Sequence, residues 1–145
     1  MADISSHSTE IQAPIEQVRE ILFNLEGYPS WSSSIKTVEV LERDSSSRPT
    51  KLTLKVEAGV LKDRPTLVYD WSKAPDEISF SLEEADLMTR MDGKYEIKDN
   101  GDDSVTVTYS LTTALSMPVP DLMRRKVEKT TIEQSLSELK QKLEG

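Results

Sequence analysis

The stretch VTVTYSLTTALSMPVPDLMRRKVEKTTIEQSLSELKQKLEG, residues 105–145, changes its period halfway along, and that change decides the fold. Val105, Val107, Tyr109 and Leu111 alternate with Thr and Ser, as in a strand with one covered face. Pro118-Val119-Pro120 ends the alternation, and no Gly or Pro follows until Gly145. Residues 121–143 are rich in helix formers, with Asp121 at the positive end of the helix they predict. Ile132, Leu136, Leu139 and Leu143 recur by 4, 3 and 4, an apolar stripe that needs a surface to pack on.

Upstream of this stretch, five further runs alternate in the same way. They are Val38 and Val40; Leu52, Leu54 and Val56; Leu67, Tyr69 and Trp71; Ile78, Phe80 and Leu82; and Met91, Gly93, Tyr95 and Ile97. Turn signals at Ser45-Ser46-Ser47, Lys62-Asp63-Arg64-Pro65, Ala74-Pro75-Asp76 and Asn100-Gly101-Asp102-Asp103 predict antiparallel hairpins between them. Residues 3–12, rich in Ser and Thr between Ile4 and Ile11, predict a seventh strand at a sheet edge. Pro14 then opens a short amphipathic helix marked by Ile15, Val18, Ile21, Leu22 and Leu25. Gly27-Tyr28-Pro29-Ser30-Trp31 breaks it, and Ser32, Ser33 and Ser34 either cap a second short turn or form a loop. The class is α+β, with the last helix covering one face of the sheet.

The chain has 145 residues, so we read residues 1–145 as a single domain. With 36% hydrophobic and 30% charged residues, a folded core is affordable. Acidic residues outnumber basic ones by 26 to 18, a net charge of -8 that repels a polyphosphate backbone, and no nucleic-acid partner is expected. Zero cysteines exclude disulfides and thiolate chemistry, and His7, the one histidine, leaves triads and multi-histidine metal sites without parts. Glu83, Glu84 and Asp86 cluster at a predicted turn without a spaced partner, so no metal and no cofactor is expected. Arg90 and Asp92 share the solvated parity, and only a bulge near Gly93 would turn them inward as an acid/base pair. The opening Met1-Ala2-Asp3 lacks the basic and then apolar run of a secretory signal, and no apolar run spans a bilayer, so a cytoplasmic location is expected.

The final helix carries an internal conflict. Extending its apolar stripe toward the N-terminus at about 100° per residue brings Leu122, Arg125, Glu128 and Lys129 to the covered face, and puts Met123, Val127 and Thr130 opposite. Either this half lies over a cavity where Arg125 or Lys129 meets water or a ligand, or the helix bends, or a loop covers Met123 and Val127 and leaves Arg125 outside. The run Arg124-Arg125-Lys126 also suits transient contact with anionic lipid headgroups.

The order strand, two short helices, about six further antiparallel strands and one long helix resembles the helix-grip fold. More narrowly, the chain resembles the START-like polyketide cyclase/dehydrase and lipid-transport family, also called SRPBCC. Ile11-Gln12-Ala13-Pro14-Ile15-Glu16-Gln17-Val18 matches its I-x-A-P-x-x-x-V entry to the first helix, Tyr28-Pro29-Ser30-Trp31 its Y-P-x-W turn, and Leu136-Ser137-Glu138-Leu139-Lys140 its closing L-x-x-L-K. The resemblance implies a curved sheet of about seven strands gripping the last helix over a cavity for an apolar or amphipathic molecule. Some members act as aromatase/cyclases, some bind quinones or lipids, and one branch associates with ribosomes.

Parity and this architecture together give the candidate ligand-binding set. It comprises Leu54, Val56, Leu67, Tyr69, Trp71, Phe80, Leu82, Met91, Tyr95, Tyr109 and Leu111 from strands, and Leu122, Arg125 and Ile132 from the helix. For any one of these taken singly, plain core packing is the commoner role, and the set carries the ligand reading better than its members do. Buried phenols at Tyr69, Tyr95 and Tyr109 need hydrogen-bond partners and would orient a ligand oxygen, or else bond to backbone or water. Trp31 would close one end of the cavity or anchor the short helices. Val60 and Leu61, at the start of the turn from Gly59 to Pro65, would form an apolar lid or an ordinary hairpin. The expected partner is a hydrophobic small molecule such as a lipid, quinone or polyketide-like ring. The alternatives are a cyclase or dehydratase, in which Tyr69, Tyr95, Tyr109 and Arg125 polarise carbonyls, and a protein-interaction module.

Overall fold

Alternation along the strands and the 3.6-residue stripe of the last helix decide which faces meet in the computed structural model, which describes residues 5–58 and 61–145. The elements are β1 (Ser5–Ile11), α1 (Ile15–Phe23), a 3₁₀ helix (Leu25–Ser30), β2 (Ile35–Arg43), β3 (Pro49–Ala58), β4 (Leu61–Asp63), β5 (Thr66–Asp70), β6 (Glu77–Glu84), β7 (Met88–Asp99), β8 (Val105–Leu115) and α2 (Asp121–Glu144). The strands form one curved antiparallel sheet in the order β1-β8-β7-β6-β5-β3-β2, with β4 pairing on β3. From β2 onward the sheet is a meander. Its closure is non-local: β1 pairs with β8, His7 opposite Tyr109 and Ile11 opposite Val105.

Two details differ from the sequence reading. The stretch around Gly27 and Pro29 does not merely break α1 but itself forms the second short helix, a six-residue 3₁₀ helix with Pro29 inside its last turn. The second is Leu61–Asp63, which forms an eighth strand where a plain turn was expected; the lid position Val60, with Gly59, lies outside the described residues. The buried Asp63 carboxylate explains why the chain is held there. It accepts the N–H groups of Arg64 at 2.7 Å, Asp86 at 2.8 Å, Leu87 at 3.2 Å and Met88 at 2.9 Å, tying the β4–β5 turn to the entry of β7. At the β7–β8 turn Gly101 has φ of 85°, a left-handed conformation that costs a residue without Cβ nothing.

The core is the concave face of the sheet, closed by α2 and α1. Ile132, Leu136 and Leu139 of α2 are buried, as the stripe requires, and α2 packs on β1 and β8. Val18 and Leu22 bury the inner side of α1. No helix of the described residues is long and apolar enough to cross a membrane.

Candidate functional site: a cavity between sheet and closing helix

A sheet this curved cannot meet a straight helix along its whole length. The gap falls between the concave face and the N-terminal half of α2 as a cavity of about 340 Å³, within the range of small-molecule sites. Its floor is apolar: Leu54 and Val56 of β3, Leu67 of β5, Phe80 of β6, Met91 of β7 and Leu111 of β8. Its roof is polar, because α2 turns Arg124, Glu128, Thr131 and Ser135 toward it at spacings of 4, 3 and 4. Tyr28 and Trp31 close one end, their rings 4.9 Å apart. Met117, Pro118, Val119 and Val127 border it where β8 leads into α2.

Glu128 anchors the roof. Its side chain is fully buried, and the carboxylate accepts the Ser5 hydroxyl at 2.7 Å, the Thr113 hydroxyl at 2.8 Å together with the Thr113 N–H, and Nη1 of Arg124 at 2.9 Å. These donors replace the water that a buried charge loses. The pair also fixes the Arg124 guanidinium, largely buried itself, against the cavity wall.

All four tyrosines of the chain line the cavity and are buried. Tyr95 and Tyr109, directly paired across β7 and β8, stack with ring centroids 4.2 Å apart, and Tyr69 packs on Phe80 at 5.3 Å. Tyr28 donates its phenol to the Leu22 carbonyl at 2.6 Å. Burial, which disfavours the phenolate, pushes all four phenols up from the ordinary value, and at Tyr28, Tyr69 and Tyr95 neighbouring phenols add to the rise. A hydrogen bond from Ser135 partly opposes it at Tyr95. A folded pKa above the unfolded one means stability that is intact below about pH 10 and lost as pH rises beyond it. Absorbance at 295 nm should therefore stay flat past pH 10 and rise in one step with loss of the near-ultraviolet circular dichroism. Graded titration of even one tyrosine in the folded protein would contradict this.

Gly93 sets the floor's depth. It faces Phe80 across the β6–β7 pairing, and a Cβ there would lie 2.4 Å from the Phe80 ring tip. Gly93→Ala is expected to push that ring into the cavity and destabilise the fold by roughly 1 to 3 kcal/mol, read from urea denaturation. Adding Phe80→Leu should recover most of the loss, and a double variant no more stable than Gly93→Ala would show that the ring is not the obstacle.

Nine of the candidate residues meet here: Leu54, Val56, Leu67, Tyr69, Phe80, Met91, Tyr95, Tyr109 and Leu111. Five do not line the cavity. Trp71 has the right parity but lies beyond the end of β5, where its indole N–H donates to the Pro49 carbonyl at 2.6 Å and Phe23 of α1 meets it edge-on. Leu82 is half-buried past Phe80, where β6 no longer pairs with β7. Ile132 is buried in the core on the side of α2 that packs against β1 and β8. Leu122 and Arg125 are exposed, Leu122 at 82%. Of the four residues that the stripe places on the covered face, Glu128 alone is buried; Met123 and Val127 are exposed by more than half their surface or close to it. The stripe misjudges the others because the first turns of α2 extend past the β1–β8 surface that the stripe grips. Arg90 and Asp92 form an exposed ion pair at 2.6 Å, not an inward acid/base pair. Among the described residues no cluster of three His, Asp or Glu is placed to hold a metal ion.

Sequence reasoning missed Arg124, Thr131 and Ser135 as cavity residues. The signal was there in the spacing 124, 128, 131, 135, which parallels the apolar stripe, but polar residues at helical spacing read as a solvated face.

A curved antiparallel meander gripping one long helix over an apolar-floored cavity defines a START-like helix-grip domain. The chain belongs to the polyketide cyclase/dehydrase and lipid transport family, whose model matches residues 11–140. Among solved structures it is similar to a START superfamily protein from Mycobacterium smegmatis, 27% identical over 97% of both chains with a TM-score of 0.92. It is also similar in fold to the Zhui aromatase/cyclase from Streptomyces sp. R1128, 18% identical over 99% of this chain and 94% of that one, TM-score 0.77. Comparison with curated proteins finds no match.

Proposed function

We propose that the protein binds or carries a hydrophobic small molecule in the cavity between sheet and α2, through Leu54, Val56, Leu67, Tyr69, Phe80, Met91, Tyr95, Tyr109 and Leu111. The observation that carries this reading is the pairing of an apolar floor with a roof of Arg124, Glu128, Thr131 and Ser135. Such a site takes a largely apolar body and hydrogen-bonds oxygens along one edge of it, as in a lipid, quinone or polyketide-like ring. Family membership agrees with this class of ligand. The test is to purify the protein from its host, extract it with organic solvent and identify the extract by mass spectrometry, then titrate the stripped protein with a fluorescent naphthylamine probe. A stoichiometric apolar compound that displaces the probe is expected. No extract and no saturable probe binding would refute the reading.

A cyclase-type activity is the second reading, and the Arg124–Glu128 pair favours it. A guanidinium held against a largely apolar cavity can polarise a ligand carbonyl, the role the sequence reading gave to Arg125. Arg124→Gln should then slow turnover of a poly-β-ketone substrate at least tenfold with little change in KM. An unchanged rate would remove this reading and leave the binding one intact.

A further inference from the structure

Four of the six large apolar side chains exposed among the described residues lie within eleven positions: Met117 at 57%, Leu122 at 82%, Met123 at 59% and Val127 at 50%. Met117 and Val127 also border the cavity, so this apolar surface is continuous with the cavity's edge. Interleaved with it are Arg125, Lys126 and Lys129, all exposed. Between Asp121 and Thr130 four basic residues stand against two acidic ones, Asp121 and the buried Glu128, in a chain where acids outnumber bases 26 to 18. Taking these two acids from 26 and these four bases from 18 leaves 24 acids against 14 bases in the rest of the chain, while this segment has a local basic excess, with Arg124 paired to Glu128 and Lys129 Nζ 3.9 Å from Glu133.

We propose that the β8–α2 connection and the first turns of α2 form a docking surface for an anionic lipid bilayer. Leu122, Met123 and Met117 would enter the region between headgroups and acyl chains while Lys126 and Lys129 meet the phosphates. Apolar side chains with interleaved basic ones suit that boundary, and the charge asymmetry orients the molecule with this end toward a negative surface. A second copy of the chain fits less well, since two such surfaces would bring like charges together. Contact on this side would present the cavity's bordering residues to the lipid, yet the docking surface does not depend on what the cavity binds.

The test is co-sedimentation of the full chain with vesicles of phosphatidylcholine alone and of phosphatidylcholine with phosphatidylglycerol, at low and raised salt. Wild type should pellet with the anionic vesicles, and salt should weaken this. Lys126→Glu with Lys129→Glu should reduce binding about tenfold or more. Leu122→Asp with Met123→Asp should reduce it to a similar degree at unchanged thermal stability, because both side chains are exposed in the folded protein. Equal binding to both vesicles, no binding to either, or full binding by both double variants would overturn the proposal. So would a concentration-dependent dimer that Leu122→Asp with Met123→Asp dissolves while wild type ignores vesicles.

Discussion

Glu128→Ala is expected to destabilise the protein by about 3 kcal/mol or more, the range seen when one partner of a buried ion pair is removed. The variant strips the acceptor from the Ser5 and Thr113 hydroxyls, the Thr113 N–H and the Arg124 guanidinium at once. Ser5 stands on β1, Thr113 on β8 and Arg124 on α2 itself, so the carboxylate ties α2 both to the neighbouring β8 and to β1 at the far end of the chain. Arg124 keeps a little contact with water, its side chain 14% exposed, which holds the cost toward the lower end of that range. A double-mutant cycle with Arg124→Ala separates the terms: Glu128→Ala should cost less when Arg124 is already absent. If Glu128→Ala shifts the urea midpoint no more than an exposed substitution such as Glu133→Ala, the network contributes nothing to folding. Hydrogen exchange should locate the damage at the β1–β8 edge and the first half of α2, with the Leu136–Leu139 end protected as before.

The second large effect concerns binding. Thr131→Trp places an indole in the cavity from its roof, where Thr131 faces the open space across from the apolar floor. If the indole denies a ligand roughly 100 Å² of apolar contact, the loss is about 2.5 kcal/mol, about sixtyfold in affinity. Folding should survive, because Ile132, Leu136 and Leu139, which hold α2 to the sheet, are untouched. Titration with the naphthylamine probe, alongside thermal melting, reads both quantities. Retained affinity at a normal melting temperature would place the ligand elsewhere on the protein. Thr131→Val, which removes the hydroxyl without adding bulk, tests instead whether the polar roof matters: a ligand with oxygens on one edge should bind it several-fold more weakly, and a plain hydrocarbon probe equally well.

The strands were legible because each lies half in water. Leu52, Leu54, Leu67, Phe80, Tyr95 and Tyr109 are all buried and all fall on the alternating apolar positions, so parity marks the covered face of the sheet. The closing stripe of α2 was legible for the same reason. Parity failed at Trp71, where the right side of the strand continues past its end into the territory of α1, and at Leu82, where β6 has left β7. It failed too at the N-terminal turns of α2, since a helical stripe says which side faces a partner only while there is a partner beneath it.

Apart from the 3₁₀ helix and β4, the sequence by itself determined the elements, their order, the covered face of the long strands and the grip of the C-terminal half of the last helix, because local alternation and chain punctuation encode these directly. The tertiary structure alone decided the chemistry of the cavity. Glu128 is buried because Ser5 and Thr113, 123 and 15 residues away along the chain, arrive beside it as donors. Arg124 then faces inward and Arg125 outward, a choice between neighbours that the apolar stripe alone does not make, since polar residues at helical spacing read equally as a solvated face. A charge goes inside only where distant donors converge, and their convergence is a property of the closed sheet.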